Sequence, residues 1–211
     1  MEETVPLPTV ELDLPSAQNL GSMLAILQDL RFVEGCCSRL LTLMNGPEDE
    51  RDAVLTDALW SAAVIAYARC FKDGKREHRL QNADITSLPL EGEVLEFHKL
   101  ILMLRDKHIA HSVNPFEQVG VGAILSPDAG SVRQVEGIAT LSMRHTSTDA
   151  QGVWQLLNLA KALADALVKR AKNQTAVVQA EAEDLDIEAL YRLPRMRLTA
   201  PGSEAAARPR T

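Results

Sequence analysis

The chain has 211 residues, 24% of them charged and 46% hydrophobic, with a formal net charge of −7. That length suits one domain with tails, the balance is that of a globular protein with a real core, and the acidic sign excludes a general nucleic-acid-coating surface. No apolar run approaches the roughly 20 residues needed to span a bilayer, and the acidic start Met1-Glu2-Glu3 has no signal-peptide pattern, so the expectation is a cytoplasmic protein with no membrane partner.

Residues 1–14 read as an extended leader, because Pro6, Pro8 and Pro15 discourage helix. Ser16 is the expected N-cap of a first helix. Leu20, Met23, Leu24, Leu27, Leu30 and Val33 recur at i, i+3, i+4 spacing, and Asn45-Gly46-Pro47 ends the run. Gly35 inside it is either a weak point or a close-packing spot. Cys36, Cys37 and Cys70 lack any metal-type or CxxC spacing and read as reduced core residues.

A second helix opens on Glu48, Asp49, Glu50 and Asp52, which suit a positive helix N-terminus. Its body, Val54 to Phe71, is nearly all apolar and should be buried on more than one side. Bases lead from Arg69 to Arg79, with Arg69, Lys72, Lys75, Arg76 and Arg79 against Asp73 and Glu77. Asn82 or Asp84 is expected to cap a short turn. A third helix should run from about Glu91 to His111 and stop at Asn114-Pro115.

The period then changes from 3.6 to 2. Gln118 to Leu125 and Val132 to Arg144, around the turn Pro127-Asp128-Ala129-Gly130, read as a β-hairpin. Two strands alone are marginal, so the second arm is expected to lie half buried against helices. Thr148-Asp149-Ala150-Gln151 opens a last long helix whose stripe runs from Val153 to Leu167 and whose end frays from Gln174 to Asp184. Ile187 to Leu198 reads as a docking segment before a flexible, Arg-containing tail. The expected class is all-α: an up-down four-helix bundle over residues 15–180, a small hairpin at about 118–145 inserted before the last long helix, and a docking segment with tail over 181–211.

The chemistry concentrates in Leu104-Arg105-Asp106-Lys107-His108-Ile109-Ala110-His111-Ser112. Arginine presents a planar fork of donors that fits phosphate, and histidine moves a proton near neutral pH. Arg105, His108 and His111 step by three and drift across one helix side. Asp106 is placed to orient Arg105 or a histidine. The structural reading of the same residues is a basic helix end favoured by the macrodipole. Trp60 to Phe71 is the second place to look: either Tyr67 packs with its hydroxyl at the edge and Arg69 snorkels, or Arg69 lies near Arg105 and helps hold an anion. His98, His108 and His111 lack the spacing and further ligands of a zinc site. Gly120-Val121-Gly122 is not a phosphate loop, since it lies in a strand with no following helix. His78 and His145 read as solvated loop residues.

The stretch Arg105-Asp106-Lys107-His108-Ile109-Ala110-His111 resembles the signature of HEPN domains, in which an arginine and a polar residue precede a histidine after four to six intervening residues; here five intervene. With Tyr67-Ala68-Arg69 upstream, it looks most like abortive-infection-type HEPN proteins of bacterial defence and toxin–antitoxin systems. The resemblance covers roughly residues 15–175. It implies a helical bundle, a homodimer, and metal-independent endoribonuclease activity at the dimer seam with no cofactor, RNA as substrate and a cognate antitoxin as partner. Arg105 would hold the scissile phosphate, His111 would act as general base or acid, and Asp106 would hold the geometry. Lys107, His108, Arg69, Tyr67 and Arg76 would be supporting RNA contacts. The alternative is a non-catalytic HEPN-like module for dimerisation or for binding RNA, a nucleotide or a protein partner.

Overall fold

The computed structural model describes residues 8–47, 51–72, 78–109, 117–127, 133–144, 148–197 and 202; the side chains of His108 and Arg144 also lie outside what it describes. Helix α1 spans Pro15–Met44, α2 Ala53–Arg69, α3 Asn82–Thr86 and α4 Val94–Leu104, followed by a π-helical turn, Arg105–Ile109. Strands β1 (Glu117–Leu125) and β2 (Val135–Arg144) come next, then α5 (Ala150–Glu183) and α6 (Ile187–Arg192).

Capping explains most boundaries. Pro15 occupies the first turn of α1, where its missing N–H costs nothing, so the helix starts one residue before the expected Ser16 cap and Leu14 takes the cap position without a side-chain bond. Ser16 instead donates from its hydroxyl to Glu181 near the far end of α5. Asp52 caps α2 by accepting from the Leu55 N–H at 2.9 Å, and Asp149 caps α5 through the Gly152 N–H at 2.8 Å. In α3 the cap is Gln81, whose N–H donates to Asp84 at 2.6 Å. Gly92 has φ +87°, a left-handed conformation closed to a helix interior, so α4 begins at Val94 rather than Glu91.

The core lies between α1, α2 and α5. α1 contributes Ile26, Leu30, Val33 and Leu40, and α5 contributes Leu156, Leu159, Leu163 and Leu167, all buried. Gln174 Nε2 donates to the Ser16 carbonyl, which sets the start of α1 against the end of α5, so the two helices run antiparallel. That packing carries α5 to Glu183, past the fraying expected from Gln174. α2 threads the same core with Ala63, Val64, Ala66, Tyr67 and Ala68 buried; its alanines allow close approach on more than one side, as its apolar sequence predicts. Cys36, Cys37 and Cys70 are buried and free, and burial pushes the Cys37 thiol up to about 12. The C-terminal segment meets the leader, where Val10 pairs with Arg195 and the Met196 N–H donates to the Thr9 carbonyl at 2.9 Å.

Gly35 resolves as a weak point, because a Cβ built there meets nothing within 4 Å. Gly35→Ala is expected to stabilise the protein by about 0.5–1 kcal/mol, read from the urea midpoint at unchanged slope. No gain would mean that α1 is not continuous across this position.

The hairpin is where expectation and structure part. The strands pair antiparallel from Glu117 opposite Arg144 to Leu125 opposite Val135, with an irregularity between Ile124 and Leu125. The fold is therefore a mixed one, helices plus a two-stranded antiparallel sheet with two short extra helices, and not the expected all-α four-helix bundle. Nor does the second arm lie half buried. The strands pack chiefly on each other, and Val119 and Leu141 are 78% and 76% exposed. The reason is readable in the register: one face carries Val119, Val121 and Ile138, the other Ile124, Leu141 and Met143. With apolar side chains on both faces, the period of two selects neither for burial.

Candidate functional site

The expected single helix from Glu91 to His111 changes character at Arg105. The α-helical ladder ends at Leu104 and a π turn carries Arg-Asp-Lys-His-Ile. Such turns re-aim side chains and recur at functional sites. Leu104 is buried, Arg105 and Asp106 are half-buried, and Lys107 is exposed, so the sequence crosses from core to solvent within one turn.

Asp106 is the centre of a charged cluster. Its Oδ1 accepts from Arg105 Nη1 at 3.0 Å and its Oδ2 accepts from Lys72 Nζ at 2.6 Å. Lys72 lies just past the end of α2, so the carboxylate ties the α2 terminus to the π turn. The Lys72 hydrogen bond, and after it the Arg105 hydrogen bond, hold the Asp106 carboxyl below the usual carboxylate range. Asp106, ionised at neutral pH, fixes one edge of the Arg105 guanidinium. About two fifths of the Arg105 side chain remains exposed. The arrangement can orient two cations toward an anion at the protein surface.

Tyr67 and Arg69 are not brought to this cluster. Tyr67 is fully buried, and its hydroxyl lies 2.8 Å from Nδ1 of His98, which is also buried. Phe71 packs tilted against both rings, with centroids 5.1 Å and 4.4 Å away. Tyr67 therefore offers no surface to RNA, and its hydroxyl sits inside the core rather than at the edge. Burial, and after it Lys99, push the His98 imidazole down to about 4, so it is neutral at physiological pH. Arg69 pairs with Asp29 of α1 at 3.5 Å. Lys72, which sequence reading placed only within a basic run, is the residue that reaches Asp106; its position one turn beyond Arg69 is the signal that was available.

His111 and Arg76 lie outside the described residues, and of His108 only the backbone position in the π turn is described. His78 is partly covered rather than solvated: its Nε2 is enclosed without a hydrogen-bond partner among the described residues, and burial, then Arg170, lower its pKa. His145 lies outside the described residues. No group of three or more His, Cys, Asp or Glu side chains that could hold a metal occurs among the described residues, and no helix there is long and apolar enough to cross a membrane.

A groove of about 800 Å³ runs between α4 and α5, floored by Phe97, Leu100 and Trp154. Its rim carries Glu91, Glu93, Glu96 and Asp165 against Lys161. This sign disfavours a polyanion in the groove. No family model, curated protein or solved structure matches the chain.

Proposed function

We propose that this chain is a cytoplasmic, homodimeric, metal-independent endoribonuclease of the HEPN type, acting in a toxin–antitoxin or phage-defence setting. The observation that carries the reading is the Arg105 guanidinium pinned by an ionised Asp106, beside Lys72, at the solvent-facing end of α4. The defence setting and the antitoxin partner rest on the resemblance of the Arg105 to His111 stretch.

In this reading Arg105 binds the non-bridging oxygens of the scissile phosphate and stabilises the charge that grows on them. Lys72 supplies a second positive charge at the rim of the site. His111 takes the proton of the adjacent 2′-hydroxyl or returns one to the leaving 5′-oxygen. The 2′-oxygen attacks phosphorus, the bond to the 5′-oxygen breaks, and a cyclic phosphate remains. The Asp106 carboxyl is held below the usual carboxylate range, so the anion that orients Arg105 is present through the neutral pH range. Localised charge at one helix end also reconciles RNA chemistry with a net charge of −7.

The test is cleavage of a mixed RNA pool in EDTA by the wild type and by His111→Ala, side by side. Cleavage by the wild type alone is the expected result. No cleavage by either protein overturns the enzymatic reading. The exposed apolar hairpin then favours the second reading, a non-catalytic interaction module, and makes partner capture the next step.

A further inference from the structure

Among the described residues no third strand pairs with the hairpin, and the middle of each arm has little of the usual protection against pairing. Gln118 to Leu125 and Gly137 to Met143 contain no proline and no charged residue, whereas solitary edges are ordinarily blunted by such residues, by bulges or by a covering element. A two-stranded ribbon without helix cover is also marginal in water by itself. Its residues are nearly all exposed, including Val121, Ile138 and Met143. The β2 edge thus calls for a further strand.

The β2 edge is self-complementary about Thr140. Antiparallel pairing of β2 with a second β2 about that residue sets Ala139 opposite Leu141 and Gly137 opposite Met143, so each large side chain meets a small one on the same face. On the other face Thr140 meets Thr140, a favourable cross-strand pair, and Glu136 stands opposite Arg144 twice, once on each side of the axis. Moving the centre to Ala139 or Leu141 separates these charges. The β1 edge has no equivalent register: pairing about Val121 sets Glu117 opposite Leu125. An axis through one residue, with each pair repeated by symmetry, is the form of an isologous two-fold interface.

We infer that the β2 edge is a docking surface for a second copy of this chain, joined antiparallel about Thr140 into a four-stranded sheet in the order β1-β2-β2-β1. The inference is argued from strand register and exposure and rests on the proposed function only in naming a surface for its homodimer; a dimer indifferent to the β2 variants overturns this surface alone, and cleavage in EDTA tests the enzymatic reading separately.

Sedimentation velocity of the full chain over a dilution series is the experiment. The wild type is expected to be a reversible dimer. Glu136→Arg replaces two opposite-charge contacts with two like-charge contacts and is expected to weaken association about tenfold or more. Thr140→Lys places two ammonium groups at the axis and is expected to give a monomer. The triple variant Glu117→Arg/Glu136→Arg/Arg144→Glu keeps opposite charges opposed both within the hairpin and across the seam, and is expected to restore the dimer. All these positions lie outside the helical core, so the helical circular dichroism should match the wild type. A monomeric wild type overturns the inference, as does a dimer indifferent to Glu136→Arg and Thr140→Lys. A dimer weakened by Glu136→Arg and not restored by the triple variant overturns the Thr140 register.

Discussion

Arg105→Ala is expected to lower the rate of RNA cleavage in EDTA about a thousandfold, the loss that follows removal of a donor aimed at developing charge. Arg105→Lys should recover little of it, since a single ammonium cannot both keep the Asp106 contact and bridge two phosphate oxygens. Asp106→Asn removes the anion that pins both cations, and should cost about tenfold to a hundredfold through misplacement of Arg105. The change should fall on the single-turnover rate more than on RNA affinity, because Arg105 and Lys72 both keep their charge. Arg105 is two-fifths exposed, so the alanine variant should unfold within about 0.5 kcal/mol of the wild type. Equal single-turnover rates for Arg105→Ala and the wild type would remove Arg105 from the chemistry.

Acidification from pH 6.5 to 4 is expected to destabilise the fold by up to about 3 kcal/mol through His98 alone. Above pH 6.5 the imidazole is neutral in both the folded and the unfolded chain and contributes no pH dependence. Between pH 6.5 and about 4 the unfolded chain takes up a proton that the folded core refuses, so acid favours unfolding. Below about 4 both states are protonated and the penalty levels off. His78, also held below its ordinary value, adds in the same direction and forms a background. Tyr67→Phe leaves the buried His98 Nδ1 without its partner and should cost about 1–3 kcal/mol at pH 7. The double variant Tyr67→Phe/His98→Leu replaces the polar pair with apolar groups. It should recover much of that loss and flatten the acid slope. Urea titrations at stepped pH measure both quantities, and an acid slope unchanged in the double variant would sink the assignment to His98.

Local signals in the sequence carried far. Asp52, Asp149 and Asn45-Gly46-Pro47 mark helix ends through capping and breaking chemistry that acts within four residues. The switch to a period of two marks both strands. What was not legible depends on elements meeting across long separations. Tyr67 and His98 are 31 residues apart, and Lys72 and Asp106 are 34 apart. Each pair exists only because the end of α2 packs beside α4 and the π turn. His98 reads as one of three scattered histidines, since nothing nearby in sequence reveals a tyrosine hydroxyl at its Nδ1. The hairpin's exposure was missed for a different reason. Alternation in β2 reads as one buried face when that strand is taken alone. Pairing it with β1 puts Val119 and Val121 beside Ile138 on the face that alternation assigned to solvent.

The antiparallel partnership of α1 and α5 also sets a timetable. α1 leaves the ribosome before α5, with residues 45–149 between them. At ~5–20 residues per second, that interval lasts on the order of ten seconds. Throughout it α1, with its stripe Ile26, Leu30, Val33 and Leu40, lacks the cover that α5 supplies. Both strands of the hairpin emerge before α5 does, so nascent chains on one message can meet edge to edge while their cores are still open. A chain truncated before Asp149 would carry the whole Arg105 stretch and still lack the helix on which its core closes.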